Sequence, residues 1–367
     1  NKTFGSHSVP EGWLIAAAGN PPEYNKSVRE FDIVTLDRVR RMDIEADLDV
    51  WMEYAWKKEI HGSILAYLGL KKDAFYSVEN TVDGKHFVTA RGWEDLSEIL
   101  KAYEELGVEI TENLIGEYLC RDEIARSFFA SYQLYRKYGE DYGLKRLLSG
   151  KMAEEEQQKK VKMAEGASFE ERFLVTGLLL SGLNGSFLDY EKLDKETGAV
   201  YQELLHLKAF LHDKKDMTAL DEFTDVKKKS LAVRLEAELL NLEQQTTEEF
   251  VIRTLEEFSL TIRKEHITDT ETGFERIRQL FTEMVEKRKD CAKKISRELE
   301  RAFAFMKACF GDGQETVLFV TGLTRNSHAA AFIREYGCDP YFACSEKLLY
   351  RKQEKKLQEE CESLLKI

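Results

Sequence analysis

The chain has 367 residues and a formal net charge of −13, with 67 Asp and Glu against 54 Lys and Arg; this length suits two or three domains and a core that needs no covalent staples. The basic residues are scattered among acids, which argues against a nucleic-acid partner, and no run of about 18 apolar residues or signal-peptide pattern points to a membrane. Six cysteines (Cys120, Cys291, Cys309, Cys338, Cys344 and Cys361) show no CxxC spacing, so free thiols in a reducing, cytoplasmic compartment are expected.

The first residue is Asn, and NKTFG reads as a hairpin tip, so the chain is expected to be a fragment whose natural N-terminal part is absent. Residues 13–19 form a short apolar run ending in Gly19, the pattern of a strand buried on both faces of a parallel sheet. It meets Asn20, Pro21 and Pro22, and the next proline is Pro340. Residues 26–38 read as helix or loop containing TLDRVRR, and RRMDIEA as a further short strand. Three of the 4 prolines and all 4 tryptophans fall before residue 94, which marks this part as different in composition.

From Asp47 to Leu68 apolar residues recur at three- and four-residue spacing, predicting one helix with Gly69 at its end. An Asp83-Gly84 turn between extended runs predicts a hairpin. Thr89 caps a predicted helix beginning ARGWEDLSEIL and stopping at Gly107, and Thr111 caps another running to about Lys137. Residues 149–168, rich in Glu, Gln and Lys, read as a solvated helix or linker. Residues 169–310 hold no proline and show helical periodicity throughout, most clearly from Phe274 to Phe310, which suggests an elongated antiparallel bundle. At the end, TVLFVTGL reads as a strand, Asn326 or Ser327 as the cap of a helix to Tyr336, Gly337 as its stop, YFAC as a second strand and Ser345 as a cap. That order predicts a small βαβα unit.

No GxxxxGK[ST] loop occurs, nor an acidic residue after an apolar strand placed for metal and water. TGLTRNS, 321–327, is a strand-to-helix turn with one glycine and no lysine, best explained as ordinary capping. The seven histidines are far apart without metal-site spacing, so no metal is expected. There is no GxSxG, and no cysteine sits in a nucleophile context. Three polar residues stand out: Asn20 at the end of an expected buried strand, where open α/β sheets bind ligands; Arg38 in LDRVRR; and Arg91 in the first turn of a helix. The structural alternatives are that Asn20 only terminates the strand, that Arg38 pairs with Asp37 or Asp43, and that Arg91 pairs with Glu94 or Asp95.

In order, these features resemble a MoxR-type AAA+ ATPase. IAAAGNPPEYN looks like the sensor 1 strand and its Asn-Pro loop, TLDRVRR like the segment carrying the arginine finger, and VTARGWEDLSEIL like the sensor 2 helix of the lid. The resemblance covers roughly residues 1 to 140 and implies that Asn20 orients the attacking water or contacts the γ-phosphate. Arg38 would reach the neighbouring subunit's nucleotide, and Arg91 would contact phosphate from the lid of its own subunit. A guanidinium suits both tasks because its planar fork stays charged and binds phosphate oxygens bidentately. Arg40 or Arg41 is an alternative finger.

The family's P-loop and Walker B acid precede sensor 1, so this chain alone is expected to bind no ATP tightly and to be inactive. The expected fold is mainly α: residues 1–46 as the end of an AAA+ α/β core, 47–145 as a helical lid, 146–312 as a helical bundle extension, and 313–367 as the small α/β unit. The intact protein is expected to use ATP and Mg2+, to form a hexameric homo-oligomeric ring, and to remodel a client or adaptor protein or assist cofactor or metal insertion. The alternative is a non-enzymatic helical scaffold or interaction protein.

Overall fold

A computed structural model gives the fold and describes residues 3–4, 7–14, 16–19, 33–81, 84–212, 214 and 216–347. Two compact units divide the chain, residues 1–46 and 47–367.

In the first unit, β1 (Thr3–Phe4) pairs antiparallel with β2 (His7–Ser8), and α1 (Ile33–Leu36) is a single turn. The strand expected over residues 13–19 is absent from its described residues, and Trp13 and Leu14 are 65% and 90% exposed. RRMDIEA likewise carries no strand, and Ile44 is 91% exposed. A strand exists only where a neighbour satisfies its backbone groups. Among the described residues of this unit the β1–β2 ladder is the only one, so apolar sequence alone does not make these segments strands. Asn20, Pro21 and Pro22 lie outside the described residues.

The second unit opens with two helices where one was expected, α2 (Leu48–Lys57) and α3 (Gly62–Leu70). Asp47 caps α2, its Oδ1 accepting from Val50 N at 3.0 Å. The helix closes in a Schellman turn: Glu59 N donates to Trp56 O at 3.3 Å and Ile60 N to Ala55 O at 2.9 Å, with Glu59 left-handed at φ 53. Buried Ile60 supplies the apolar contact of that motif. Gly69, expected as the cap, sits inside α3.

β3 (Ser77–Thr81) and β4 (Gly84–Val88) form the expected hairpin, Thr81 opposite Gly84. α4 (Ala90–Leu106) runs from its Thr89 cap to Gly107 at φ 67, as expected. Thr111 caps α5 (Glu112–Tyr118), but the helix expected from there to Lys137 is broken. Cys120 leaves the helix to pair with Phe87 of β4, and a separate α6 (Asp122–Tyr142) follows. Trp93, Tyr67 and Phe128 meet at the centre of this core with ring centroids 5.3–5.8 Å apart.

After α7 (Leu144–Leu148) and α8 (Glu154–Glu165) come four bundle helices: α9 (Phe169–Leu211), α10 (Ala219–Glu236), α11 (Leu242–Lys264) and α12 (Thr270–Phe310). They run up, down, up, down. Glu203 of α9 pairs with Lys227 of α10, Glu256 of α11 with Lys228, and Asp194 of α9 with Arg288 of α12. At 43 residues, α9 is about 64 Å long. α10 and α11 end on left-handed Glu238 and His266, each in a Schellman turn like that of Glu59. Leu239 N reaches Arg234 O, and Ile267 N reaches Ile262 O.

The expected βαβα unit is not formed. TVLFVTGL lies in α13 (Gln314–Arg325), which is followed by α14 (Ser327–Tyr336) and a helical stretch over 339–347 that includes YFAC. The reason is the spacing of its buried side chains. Thr316, Phe319, Val320 and Leu323 fall on one helical face, and Phe319 packs on Phe303 of α12 at 5.1 Å. Asn326 is the cap of α14, accepting from His328 N and Ala329 N, and Gly337 ends it.

Candidate functional site

The helix carrying Arg91 is fixed at its start by several independent contacts. Thr89 Oγ1 accepts from Gly92 N at 3.2 Å, satisfying one of the unpaired amides of the first turn. Trp93 Nε1 donates to Phe75 O at 3.1 Å, and Phe87 N, two residues before the cap, donates to Cys120 O at 3.1 Å. Gly92 is required by close approach: a Cβ there would stand 2.8 Å from the Tyr118 carbonyl oxygen. These contacts aim the α4 N-terminus while leaving Arg91, its second residue, exposed.

Neither partner first considered for Arg91 holds it. Glu94 accepts from Tyr54 Oη at 2.7 Å, and among the described residues Arg91 makes no hydrogen bond or ion pair. An unengaged guanidinium at the positive end of a helix is suited chemically to an anion such as a phosphate. In the first unit Arg38 is exposed in the turn after α1. Asp43 is engaged by Arg41 at 2.8 Å and does not hold Arg38. Arg40 is exposed as well. Asn20 falls outside the described residues. The structure therefore supplies one of the three expected groups in a defined setting, Arg91.

A second feature, not singled out from sequence, is a cleft of about 340 Å³ where the turn between α2 and α3 faces α9, lined by Trp56, Glu59, His61, Lys101, Ser181 and Asp189 among others. Behind it Ser63, His61 and Glu104 line up: Nδ1 of His61 lies 2.7 Å from Ser63 Oγ, and Nε2 lies 3.2 Å from Glu104, which also accepts from Tyr132 Oη at 2.8 Å. The composition is that of a hydrolytic triad, but the geometry is not. Ser63 is 1% exposed, and His61 Nδ1 accepts the Ser63 backbone N–H as the cap of α3. Ser97 Oγ accepts from His61 N at 2.8 Å, pinning the turn to α4.

Burial alone would raise the Glu104 carboxyl, yet the His61 hydrogen bond and charge, with Tyr132 and Arg136, hold it below the ordinary carboxylate value. Burial pushes Tyr135 up to about 12. His61 thus ties the start of α3 to α4. The cue available in sequence was His-Gly-Ser directly before an apolar helix.

At 321–327 the α14 N-terminus is filled by the side chain of its own Asn326, whose Nδ2 donates to Asn184 Oδ1 at 2.6 Å, so this helix start is capped from within the chain. Among the described residues no group of three His, Cys, Asp or Glu is placed to hold a metal ion. None of their helices is long and apolar enough to cross a membrane. Comparison of the chain with protein-family models, with curated proteins and with solved structures finds no match.

Proposed function

We propose that the chain is the C-terminal portion of a cytoplasmic MoxR-type AAA+ ATPase, contributing sensor 1, arginine finger and lid to a nucleotide site and a helical extension to a client or adaptor protein. The observation that carries this reading is Arg91. It stands exposed and without a protein partner among the described residues, at a capped helix start that four neighbouring contacts hold in place. Its position fits a group kept for a phosphate better than a surface ion pair. The order of GNPP, DRVRR and TARGW along the chain adds independent support.

In this reading Arg91 holds a phosphate oxygen of the nucleotide bound by its own subunit. Arg38 neutralises charge developing on the nucleotide of the next subunit in a hexameric ring, and Asn20 orients water. An arginine finger contributes roughly 10³–10⁵ in turnover in enzymes that use one. Mg2+ and the remaining phosphate contacts fall to a P-loop and Walker B segment, which the reading requires to be encoded before Asn1.

The test is ATP turnover of the full-length protein with Arg38→Ala and Arg91→Ala made separately. Each is expected to lose at least tenfold, and turnover unchanged in both refutes the assignments. A coding sequence before Asn1 without GxxxxGK[ST] would refute the family reading and favour the rival, a non-enzymatic helical scaffold.

A further inference from the structure

The bundle contains two apolar cores, not one. Tyr190 of α9 belongs to the core that includes Phe187, Leu299 and Phe332, whereas Val200 begins a second that includes Leu220 and Leu255. Between them α9 presents Glu191, Asp194, Lys195 and Glu196, and at the same level α12 presents Glu286, Lys287, Arg288 and Lys289. The hairpin of α10 and α11 stops there too, its turn falling at residues 237–241, so among the bundle helices only α9 and α12 continue across the gap.

Side chains in this gap form a polar belt. Arg288 donates to Asp194, to Tyr190 Oη at 2.8 Å and to Glu335 at 2.9 Å. Lys195 bridges Glu191 at 2.8 Å and Glu243 at 2.6 Å, and His328 pairs with Glu191. Asp194, Lys195 and Glu335 are each between 44% and 48% exposed. Their partners Arg288 and Glu191 are more covered, at 24% and 33%; pairs with one such exposed member are screened by salt.

The backbone of α9 is weakened at the same level. Gly198 is a mid-helix glycine whose added Cβ would meet nothing within 4 Å, so close packing does not require it, and a glycine lowers helix stability there. Thr197 Oγ1 back-bonds to Leu193 O at 2.6 Å, a contact that often bends helices. We propose that this belt is a hinge. The half of the bundle beyond it, with α10 and α11, bends against the half packed on α13 and α14, and rising ionic strength loosens the joint. The inference stands on the fold alone and does not depend on the ATPase reading.

The test uses this chain with spin labels carried by non-canonical residues at exposed Glu257 and Glu300, one on each side of the belt. A broad distance distribution is expected, broader still at about 1 M salt, and narrowed by Gly198→Ala. Hydrogen exchange should show amides 194–202 opening faster than those at 179–189 and 203–211. Gly198→Ala should slow them about fivefold, while Gly185→Ala, nearer α13, leaves them unchanged. A narrow distribution indifferent to salt and to Gly198→Ala, or uniform protection along α9, would overturn the hinge.

Discussion

Gly177→Ala sets two effects against each other. Alanine in place of a mid-helix glycine stabilises a helix by up to about 1 kcal/mol. At this position, though, the new Cβ would lie 2.8 Å from Ala66 Cβ, where carbon atoms are comfortable at roughly 3.5–4.0 Å. Both atoms sit on helix backbone, so relief requires α3 and α9 to separate by about 1 Å. That separation would also open the contacts on either side, since Gly62 packs against Ser181 and Tyr135, and Gly69 against Phe173.

Overpacking of this kind costs about 1–3 kcal/mol, so the net expectation is a loss of about 1–2 kcal/mol. In a chain of 367 residues that is a fall of roughly 1–3 °C in Tm, followed by helix circular dichroism. Gly185→Ala is the internal control on the same helix: its Cβ would meet nothing within 4 Å, so a rise of about 1 °C is expected. If Gly177→Ala melts at or above Gly185→Ala, the close helix crossing argued from Gly62, Ala66, Gly177 and Ser181 is wrong.

Glu238→Gly should stabilise the chain by about 0.5–1 kcal/mol, read as a higher Tm, because Glu238 is exposed and held at φ 51 where a Cβ is disfavoured; no change would refute the strain. Acidification should destabilise the region around α3 and α4. The Glu104 carboxyl lies below its ordinary value, so its contribution is present above the ordinary carboxylate range and lost as pH falls through the lowered folded value. Melting followed from about pH 7 to pH 3 should therefore decline less steeply in Glu104→Gln than in the parent, and equal slopes would refute the role of Glu104.

Helix content was legible because its signals are local. Thr89 and Gly107 bound α4, Asn326 and Gly337 bound α14, and the apolar spacing of 274–310 lies within α12. The breaks were not legible at 58–61, 237–241 and 265–269, and the cause is common to all three. Their left-handed residues are Glu59, Glu238 and His266, whereas the readable signal for such a cap is glycine. Strands were misjudged for the opposite reason, since LIAAAG and TVLFVTGL have strand composition, but pairing is a non-local property that composition does not record. Of the candidate site, the N-terminal residues of α4 were legible from the Thr89 cap. What fixes them was not, because the Tyr118 carbonyl against Gly92 and the Cys120 pairing with Phe87 join segments about 30 residues apart.

Helix α13 has a further consequence for how the chain is made and lost. Residues 316–321, Thr-Val-Leu-Phe-Val-Thr, carry no charge and no proline, the composition from which steric zippers assemble. They are helical because Phe319, Val320 and Leu323 are buried at 1% exposure or less against the neighbouring helices, so tertiary contact overrules local preference. Until those contacts form during synthesis, and again once heat removes them, this segment is a template for self-association between chains. Heating past the midpoint thus releases a sticky hexamer of residues, and recovery on cooling becomes a race between refolding and aggregation, governed by protein concentration.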